Sequence, residues 1–568
     1  MREKDAIEKI AQVIYLGVPF ISLLVITRGV TDPVNSTKLS ALVALSFSLL
    51  ILLVANLGKN LFSVNRSLMI ASIIFLISSA MSVLVSASPI SQNVYGVYGR
   101  STGFIAYFAL IVFMLGAATL NQIKHHRRIV KAFLVTGLVN AVYCAWVLAF
   151  GDFIGWSNPY GEILGLFGNP NFIGAFLGMF LVGTTAMLLH PGVSVLWRFL
   201  GLLTISITLF EIIESRAIQG LVVTAGGLAL VGLIFLWSRK AKAVWIALYL
   251  GVFSVLATLA VFGALQKGPF TFIYKRSVSL RGTYWESAVA MGLDKPFTGV
   301  GMDAYGDWYR RARPPRALTD TPGIETVTNA AHNVFLDLFS YGGFPLFFSY
   351  LAILGLGLKA VIKVLRRRSN YDGIFVALAV VWVCYQVQSI ISINQIGLAV
   401  WGWVLTGALV SYERLSQSGG QPEESKNSSK GKKSQILPNS QGPVSSGLVA
   451  GIGLVIGLIV ALPPVTSDNK WWNALQSRNL EKIEASLEPG YFNPSNSQKY
   501  AQAVNLLLNN NLPDLALKYA RASVAFNQED FTAWLQLYSL PNASVEEKEQ
   551  ALANLKRLDP LNPDVTKP

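Results

Sequence analysis

Arg281-Gly282-Thr283-Tyr284-Trp285 is followed roughly fifty residues on by Ala331-His332-Asn333, within one long polar stretch flanked by apolar ones. Such residue types suit group transfer from an anionic substrate. A guanidinium keeps its charge at any working pH and matches phosphate oxygens in bidentate fashion. An imidazole near a helix start is disfavoured from protonating by the positive end of the helix dipole, so it can accept a proton from a hydroxyl. Thr328 is the expected cap of that helix. A lone imidazole of this kind is either structural or a general base, and further arginines on the same side favour the base. Arg216 closes Glu214-Ser215-Arg216 between two apolar runs. A charge at bilayer depth is costly unless it snorkels or pairs. Arg216 therefore either pairs with Glu211 or Glu214 or belongs to an anion site. Trp285 is either an interfacial anchor or a stacking platform for a sugar. Gly299-Val300-Gly301 marks a turn; without a strand-then-helix context it is not a nucleotide-binding loop.

The elements that position these residues are membrane spans. A mean hydropathy of +0.48, with 52% hydrophobic and only 14% charged residues, indicates a polytopic all-α membrane protein. Apolar stretches of about span length fall at 10–28, 38–57, 67–88, 103–121, 130–151, 171–190, 197–214, 217–238, 243–265, 333–358, 373–393, 395–412 and 446–465. That makes about thirteen transmembrane helices. The first lacks a small-residue cleavage site and is followed by more spans, so it reads as a span and not a signal peptide. Cys144 and Cys384 both lie in apolar stretches and read as buried thiols.

Basic residues set the orientation. With the N-terminus inside, the inner loops collect Lys59 and Arg66, then Lys124, Arg127, Arg128 and Lys131, then Arg239, Lys240 and Lys242. Lys363 with Arg366 to Arg368, and the Lys426–Lys433 run, complete the set. The short outer loops hold few: Arg28 and Lys38, Arg100 and Arg216. This is the positive-inside pattern of a cytoplasmic-membrane protein. It accounts for most of the net charge of +15 and removes the need for a nucleic-acid partner. The 266–332 loop and the C-terminal tail then lie outside, the tail extracytoplasmic.

The membrane domain is expected over 1–414. Residues 415–445, rich in Ser, Gly, Gln and Lys, read as a disordered cytoplasmic linker before the last span. Residues 470–568 read as a small soluble helical domain. Val504 and Leu508 on one helix face Ala516, Tyr519 and Ala520 on the next; Pro513-Asp514 marks a helix start. Ser544-Val545-Glu546-Glu547 looks like a capping box, and Leu558-Asp559-Pro560 closes a helix. The alternation of small and large apolar residues resembles tetratricopeptide pairs. The domain is either a docking platform for a protein partner or glycan, or a helical cap.

Residues 205–350 resemble the O-antigen ligase and polymerase superfamily of bacterial membrane glycosyltransferases. The matching pieces are Ser215-Arg216, Arg281-Gly282 with Trp285, the Lys295-Pro296 to Gly301 turn, and Ala331-His332-Asn333-x-Phe335-Leu336 followed by Gly342-Gly343. Tyr98-Gly99-Arg100-Ser101-Thr102-Gly103 and Gly168-Asn169-Pro170-Asn171 resemble that family's outer-loop patterns. Tyr341 departs from the pattern, since many members carry a Glu shortly before the closing glycine.

The resemblance implies an all-helical membrane glycosyltransferase fold of the GT-C-like type. It also implies a lipid-linked donor, a glycan on undecaprenyl diphosphate, and a glycan, lipid or protein acceptor, with membrane lipids around the chain. In this reading Arg216 and Arg281 hold the diphosphate, His332 is the base, and Arg100, Trp285 and Asn171 bind substrate, with a simple interfacial anchor as the other reading of Arg100. It implies no cofactor and no metal. The outer loops carry no D-x-D motif, and Asp294, Asp303, Asp307, Asp320 and Glu325 lack an obvious ligand spacing. A polysaccharide polymerase or an O-oligosaccharyltransferase would need the same grip and base. A transporter, such as one for inorganic carbon, should instead show inverted repeats and midplane ionisable residues. Neither is visible.

Overall fold

The computed structural model describes residues 3–58, 65–271, 280–320, 323–367, 370–417 and 446–566. Most of the expected linker at 415–445 therefore lies outside the described residues, as do parts of the 266–332 loop. The membrane part comprises α1 (Glu3–Leu23), α2 (Asn35–Leu57), α3 (Arg66–Val85), α4 (Ile90–Tyr95), α5 (Phe104–Ala118), α6 (Ile123–Phe150), α7 (Pro170–Leu188), α8 (Val195–Glu214), α9 (Ile218–Ser238) and α10 (Ala243–Ala264). The long loop adds α11 (Arg281–Asp294) and α12 (Tyr305–Ala312) before α13 (Val334–Arg367), α14 (Gly373–Ser389), α15 (Ile396–Gln417) and α16 (Ser446–Ala461). Among the described residues, ten helices are long and apolar enough to cross a membrane, or eleven if α16 and its bent continuation count as one span. Two shorter apolar helices, α5 and α14, fall on two further expected spans. All-helical structure satisfies the backbone polar groups within each span, as hydrocarbon requires.

Contacts sort the loops into two ends. At one end Glu8 pairs with Lys124 and Arg128, Arg367 with Glu413, and Arg414 donates to the carbonyls of Ala118 and Leu120. At the other end gather the 24–34, 96–103, 152–170, 390–395 and 280–332 segments. Lys38, counted above with a loop, lies in the first turn of α2, fully buried and donating to the carbonyls that end α1.

Two breaks shape this second end. α13 is interrupted at Gly342 and Gly343, where Gly343 takes φ +63°. The carbonyls freed at Ser340 and Tyr341 accept from the amides of Val300 and Gly301 at 2.9 and 3.2 Å, and Phe344 N donates to Pro296 O at 2.8 Å. A Cβ on Gly343 would stand 2.2 Å from the Pro296 oxygen, so only glycine closes this join. The Lys295-to-Gly301 turn is thereby stitched to the kink of α13.

The second break turns α16 into α17 (Pro463–Ser477) at 48°. α16 lies close along α2, where Gly453 and Gly457 leave no room for a Cβ against the carbonyls of Phe47 and Ala44. From there the tail runs through α18 (Leu480–Leu487), α19 (Ser497–Asn509), α20 (Pro513–Phe526), α21 (Phe531–Ser539) and α22 (Val545–Leu558). α19 packs on α20 and α21 on α22 around a core of their own. Ala516, Tyr519, Ala520 and Val504 are buried as expected, but Leu508 faces solvent and Leu507 fills its place. Pro513 opens α20, and the Ser544–Glu547 capping box is formed in both directions.

This tail is held against the long loop. Asp559, just past α22, accepts two hydrogen bonds from Arg313 at 2.7 and 2.8 Å and one from Arg310 at 2.9 Å. The Arg313 and Asp559 side chains are both 0% exposed. Glu529 is shared between Arg311 and Arg557. Asp468 on α17 accepts from the amides of Thr31 and Asp32 and from the Tyr98 hydroxyl, tying the tail to two further loops.

Candidate active site

A cavity of about 790 Å³ opens at this second end. Its walls come from the loops after α1, α4, α6 and α14, from the segment before α13, from the starts of α7, α9 and α11, and from Trp472 on α17. Four of the six residues singled out in the sequence line it: His332, Arg281, Arg100 and Asn171. Arg216 and Trp285 do not. Arg216 is 74% exposed and pairs at 3.5 Å with Glu162, not with Glu211 or Glu214. It stands three positions before the wall residue Gln219 in the chain. Trp285 packs half-buried against the apolar core, and its neighbour Tyr284 takes the wall position instead.

Arg100 is set by a small polar network. Its Nη2 donates to the Tyr341 hydroxyl at 3.0 Å and lies 3.4 Å from Asp303 Oδ1; Tyr341 in turn donates to Asp303 at 3.0 Å. The other Asp303 oxygen accepts from Val97 N at 2.8 Å and Thr102 Oγ1 at 3.1 Å. Arg100 Nη1 also donates to the Asn329 carbonyl. Burial opposes the charge on Arg100, but Asp303 together with Tyr341, Asp337 and Tyr107 outweighs it, so the guanidinium is held more firmly charged than usual. Tyr341 is therefore a link between Arg100 and a carboxylate supplied by the loop.

His332 sits in the left-handed region at φ +54°. Ser101, Arg216 and Asp303 share this conformation, each in a loop at this end. Such backbone strain in a non-glycine residue costs about 1–3 kcal/mol and persists only where neighbours fix the geometry. Here the fixing groups are visible. Asp337 Oδ1 accepts from Ala331 N at 2.7 Å, one residue before the imidazole. Asn333 Oδ1 accepts from the amides of Phe335 and Leu336 at 3.0 and 3.1 Å, one residue after it. Asn333 is thus the cap of α13, whereas Thr328 bonds only to Ala330. The side chain that caps a helix must sit at its very first turn, and Thr328 lies too far upstream.

The imidazole faces the Tyr284 ring at 5.9 Å between centroids, and it makes no hydrogen bond to another described residue. Burial, then Arg281, then Arg100, push its pKa down to about 4. It is neutral at physiological pH. Burial also lowers the pKa of Arg281, which forms no ion pair with a described residue. The arrangement therefore presents one unneutralised guanidinium, one guanidinium held in place by a carboxylate, and a neutral base, all on one cavity. It can bind a diphosphate and deprotonate a hydroxyl beside it.

Three of the five loop carboxylates read above as scattered are taken up by protein donors. Asp303 holds Arg100, Asp307 accepts from Ser88, Gln92 and Asn527, and Glu325 accepts from Arg310. Sequence reasoning missed Asp303 and Asp337 as partners of the site. It also missed Gln219, Tyr284 and Trp472 as wall residues. Only Tyr284 had a visible signal, its place beside Arg281.

Compared with known proteins, residues 200–351 match the family model described as O-antigen ligase. The matched segment runs from α8 to the first half of α13 and so contains Arg216, Arg281 and His332. No curated protein matches the chain.

Proposed function

From a chain that carries an O-antigen ligase domain at residues 200–351, we propose a metal-independent glycosyltransferase reaction at the outer face of the cytoplasmic membrane. The donor is a glycan on undecaprenyl diphosphate, and the acceptor offers a hydroxyl. The observation that carries this reading is the neutral imidazole of His332 beside Arg281 and Arg100 on one polar cavity.

Arg281 and Arg100 grip the diphosphate. As the anomeric C–O bond breaks, the electron pair passes to the diphosphate, and the two guanidiniums stabilise the charge that grows there. The acceptor oxygen attacks the anomeric carbon from the opposite face while His332 takes its proton, so the configuration inverts. A base with a pKa of about 4 is weak for a hydroxyl. A bound diphosphate brings negative charge close to the imidazole and raises that value, so the base strengthens only once the donor is seated.

Two observations support the sidedness. The basic loops cluster at the end opposite the cavity, and the short loops that line the cavity carry few basic residues, Arg28 and Arg100. The paired helices of the C-terminal tail read as tetratricopeptide-like hairpins on the cavity side. A polymerase or an O-oligosaccharyltransferase would use the same groups with a different acceptor.

The test is transfer from a purified undecaprenyl diphosphate-linked glycan, with and without chelator. Arg281→Ala and His332→Ala should abolish transfer with the protein still inserted. Wild-type transfer by either variant, or loss of wild-type transfer on chelation, refutes the proposal.

A further inference from the structure

His332 and Asn329 line not one cavity but two. The second, of about 450 Å³, lies between the long loop and the C-terminal domain. Its loop wall includes Asp307, Arg310 and Thr328; its other wall is the start of α21, with Asp530, Phe531 and Thr532. Its size is that of a ligand pocket, about 300–1,000 Å³.

The two cavities differ in charge on either side of the imidazole. The first presents Arg281 and Arg100, its lining carboxylate Asp32 being turned onto the amides of Val34, Asn35 and Ser36. In the second, the cationic residue is Arg310, which is already engaged by Asp559 and Glu325 and stacked on Phe531 with its guanidinium 4.0 Å from the ring centroid. Besides His332, the remaining polar lining groups are carboxylates, hydroxyls and the Asn329 amide. Among the described residues, the three hydrogen bonds that Asp307 accepts all reach Oδ2, which leaves Oδ1 for a ligand. An anion is repelled here, whereas a sugar hydroxyl can donate to Asp307 and accept from Thr532.

We propose that this second cavity seats the acceptor as an uncharged sugar residue, so that the C-terminal domain forms half of the acceptor site. The inference rests on the donor reading above. A base that must touch the acceptor hydroxyl while the donor's anomeric carbon lies within reach has to stand where two pockets meet, and His332 does. The opposite charge of the two pockets orders the substrates and keeps the diphosphate out of the acceptor position. The ion pairs of Asp559 and Glu529 hold the two walls at a fixed separation, so the cleft is formed before any substrate arrives.

The experiment uses the full-length protein in lipid nanodiscs, with undecaprenyl diphosphate as the donor-cavity probe. Neutral tetrasaccharides, acidic tetrasaccharides and a Ser/Thr-rich peptide probe the cleft by saturation-transfer NMR. Thr532→Trp fills the mouth of the cleft; Asp307→Asn removes its open acceptor with little change in shape. Neutral saccharides should saturate the wild type and weaken roughly tenfold in either variant, the size of one or two lost hydrogen bonds. Undecaprenyl diphosphate should bind the variants as it binds the wild type. Saccharide signal retained in both variants, absent from the wild type, or confined to acidic saccharides or the peptide overturns the acceptor site. Failure of undecaprenyl diphosphate to bind the wild type would instead overturn the donor reading.

Discussion

Removing one carboxylate should release the C-terminal domain from the long loop. Asp559 is 0% exposed and receives both Arg310 and Arg313. In Asp559→Ala, Arg310 keeps Glu325 at 2.7 Å, but Arg313 keeps only the Ile324 carbonyl at 2.7 Å. Arg313 is then a buried cation without a counterion. Breaking a buried pair in this way costs about 3–5 kcal/mol. The domain can relieve that cost by swinging away and letting Arg313 reach water, so the penalty falls on docking and not on the membrane fold. At about 1.4 kcal/mol per tenfold, the docking equilibrium shifts by a factor of roughly 10²–10⁴. Hydrogen exchange followed by mass spectrometry would report it as faster exchange in the peptides covering 305–313 and 545–558. Asp559→Asn, which keeps an acceptor oxygen without the charge, should fall between wild type and Asp559→Ala. Wild-type protection in Asp559→Ala would refute the claim that this pair fixes the domain.

Three further outcomes follow from the site. The His332 imidazole, with its pKa pushed down to about 4, should titrate only as the pH falls through that value. Arg281→Met removes a cation that opposes the imidazolium, so the midpoint should move to higher pH in a histidine-selective NMR titration; an unmoved midpoint contradicts the assigned cause. Asp303→Asn removes the charge that anchors Arg100 and should weaken undecaprenyl diphosphate binding roughly tenfold or more. Unchanged binding would mean that Tyr341 and Asn329 orient Arg100 unaided. Gly343→Ala forces a Cβ against the Pro296 carbonyl at a positive φ and should cost at least about 1–3 kcal/mol. Its readout is the loss of monodisperse protein in fluorescence-detected size exclusion, and a wild-type profile would speak against the join at Gly343.

Much of this was legible in the chain because hydropathy and glycine placement are local signals. The expected stretches fall on helices, and the Pro513 start, the capping box and the Lys295–Pro296 stop after α11 stand where they were expected. His332, Arg281 and Arg100 announced themselves as charged or titratable groups in loops of an apolar protein. The rest depends on pairings that spacing does not encode. Asp303 and Arg100 are 203 positions apart, and Asp559 and Arg313 are 246 apart. A carboxylate in a long loop looks the same whether it faces solvent or holds a guanidinium. Trp285 misled for a related reason. On α11 the residue that faces the cavity is set by how the helix docks on α13, and that rotation brought Tyr284 to the wall.

The capping error at Thr328 bears on how the base is placed. Asn333 occupies the cap, and Asp337, one turn into α13, reaches back to the Ala331 amide. His332 is thus clamped from both sides by backbone hydrogen bonds while its own ring is left without one. A base oriented through its backbone needs no carboxylate on the imidazole, and a carboxylate there would raise its pKa and draw a proton onto it before the donor binds. Among the described residues neither ring nitrogen has a hydrogen-bond partner, so in the proposed reaction the charge of the bound diphosphate decides when the base is strong. In that sense the break in α13, the Asn333 cap and the strained φ of His332 belong to one device. Its purpose is to hold a neutral imidazole rigid between two pockets of opposite charge.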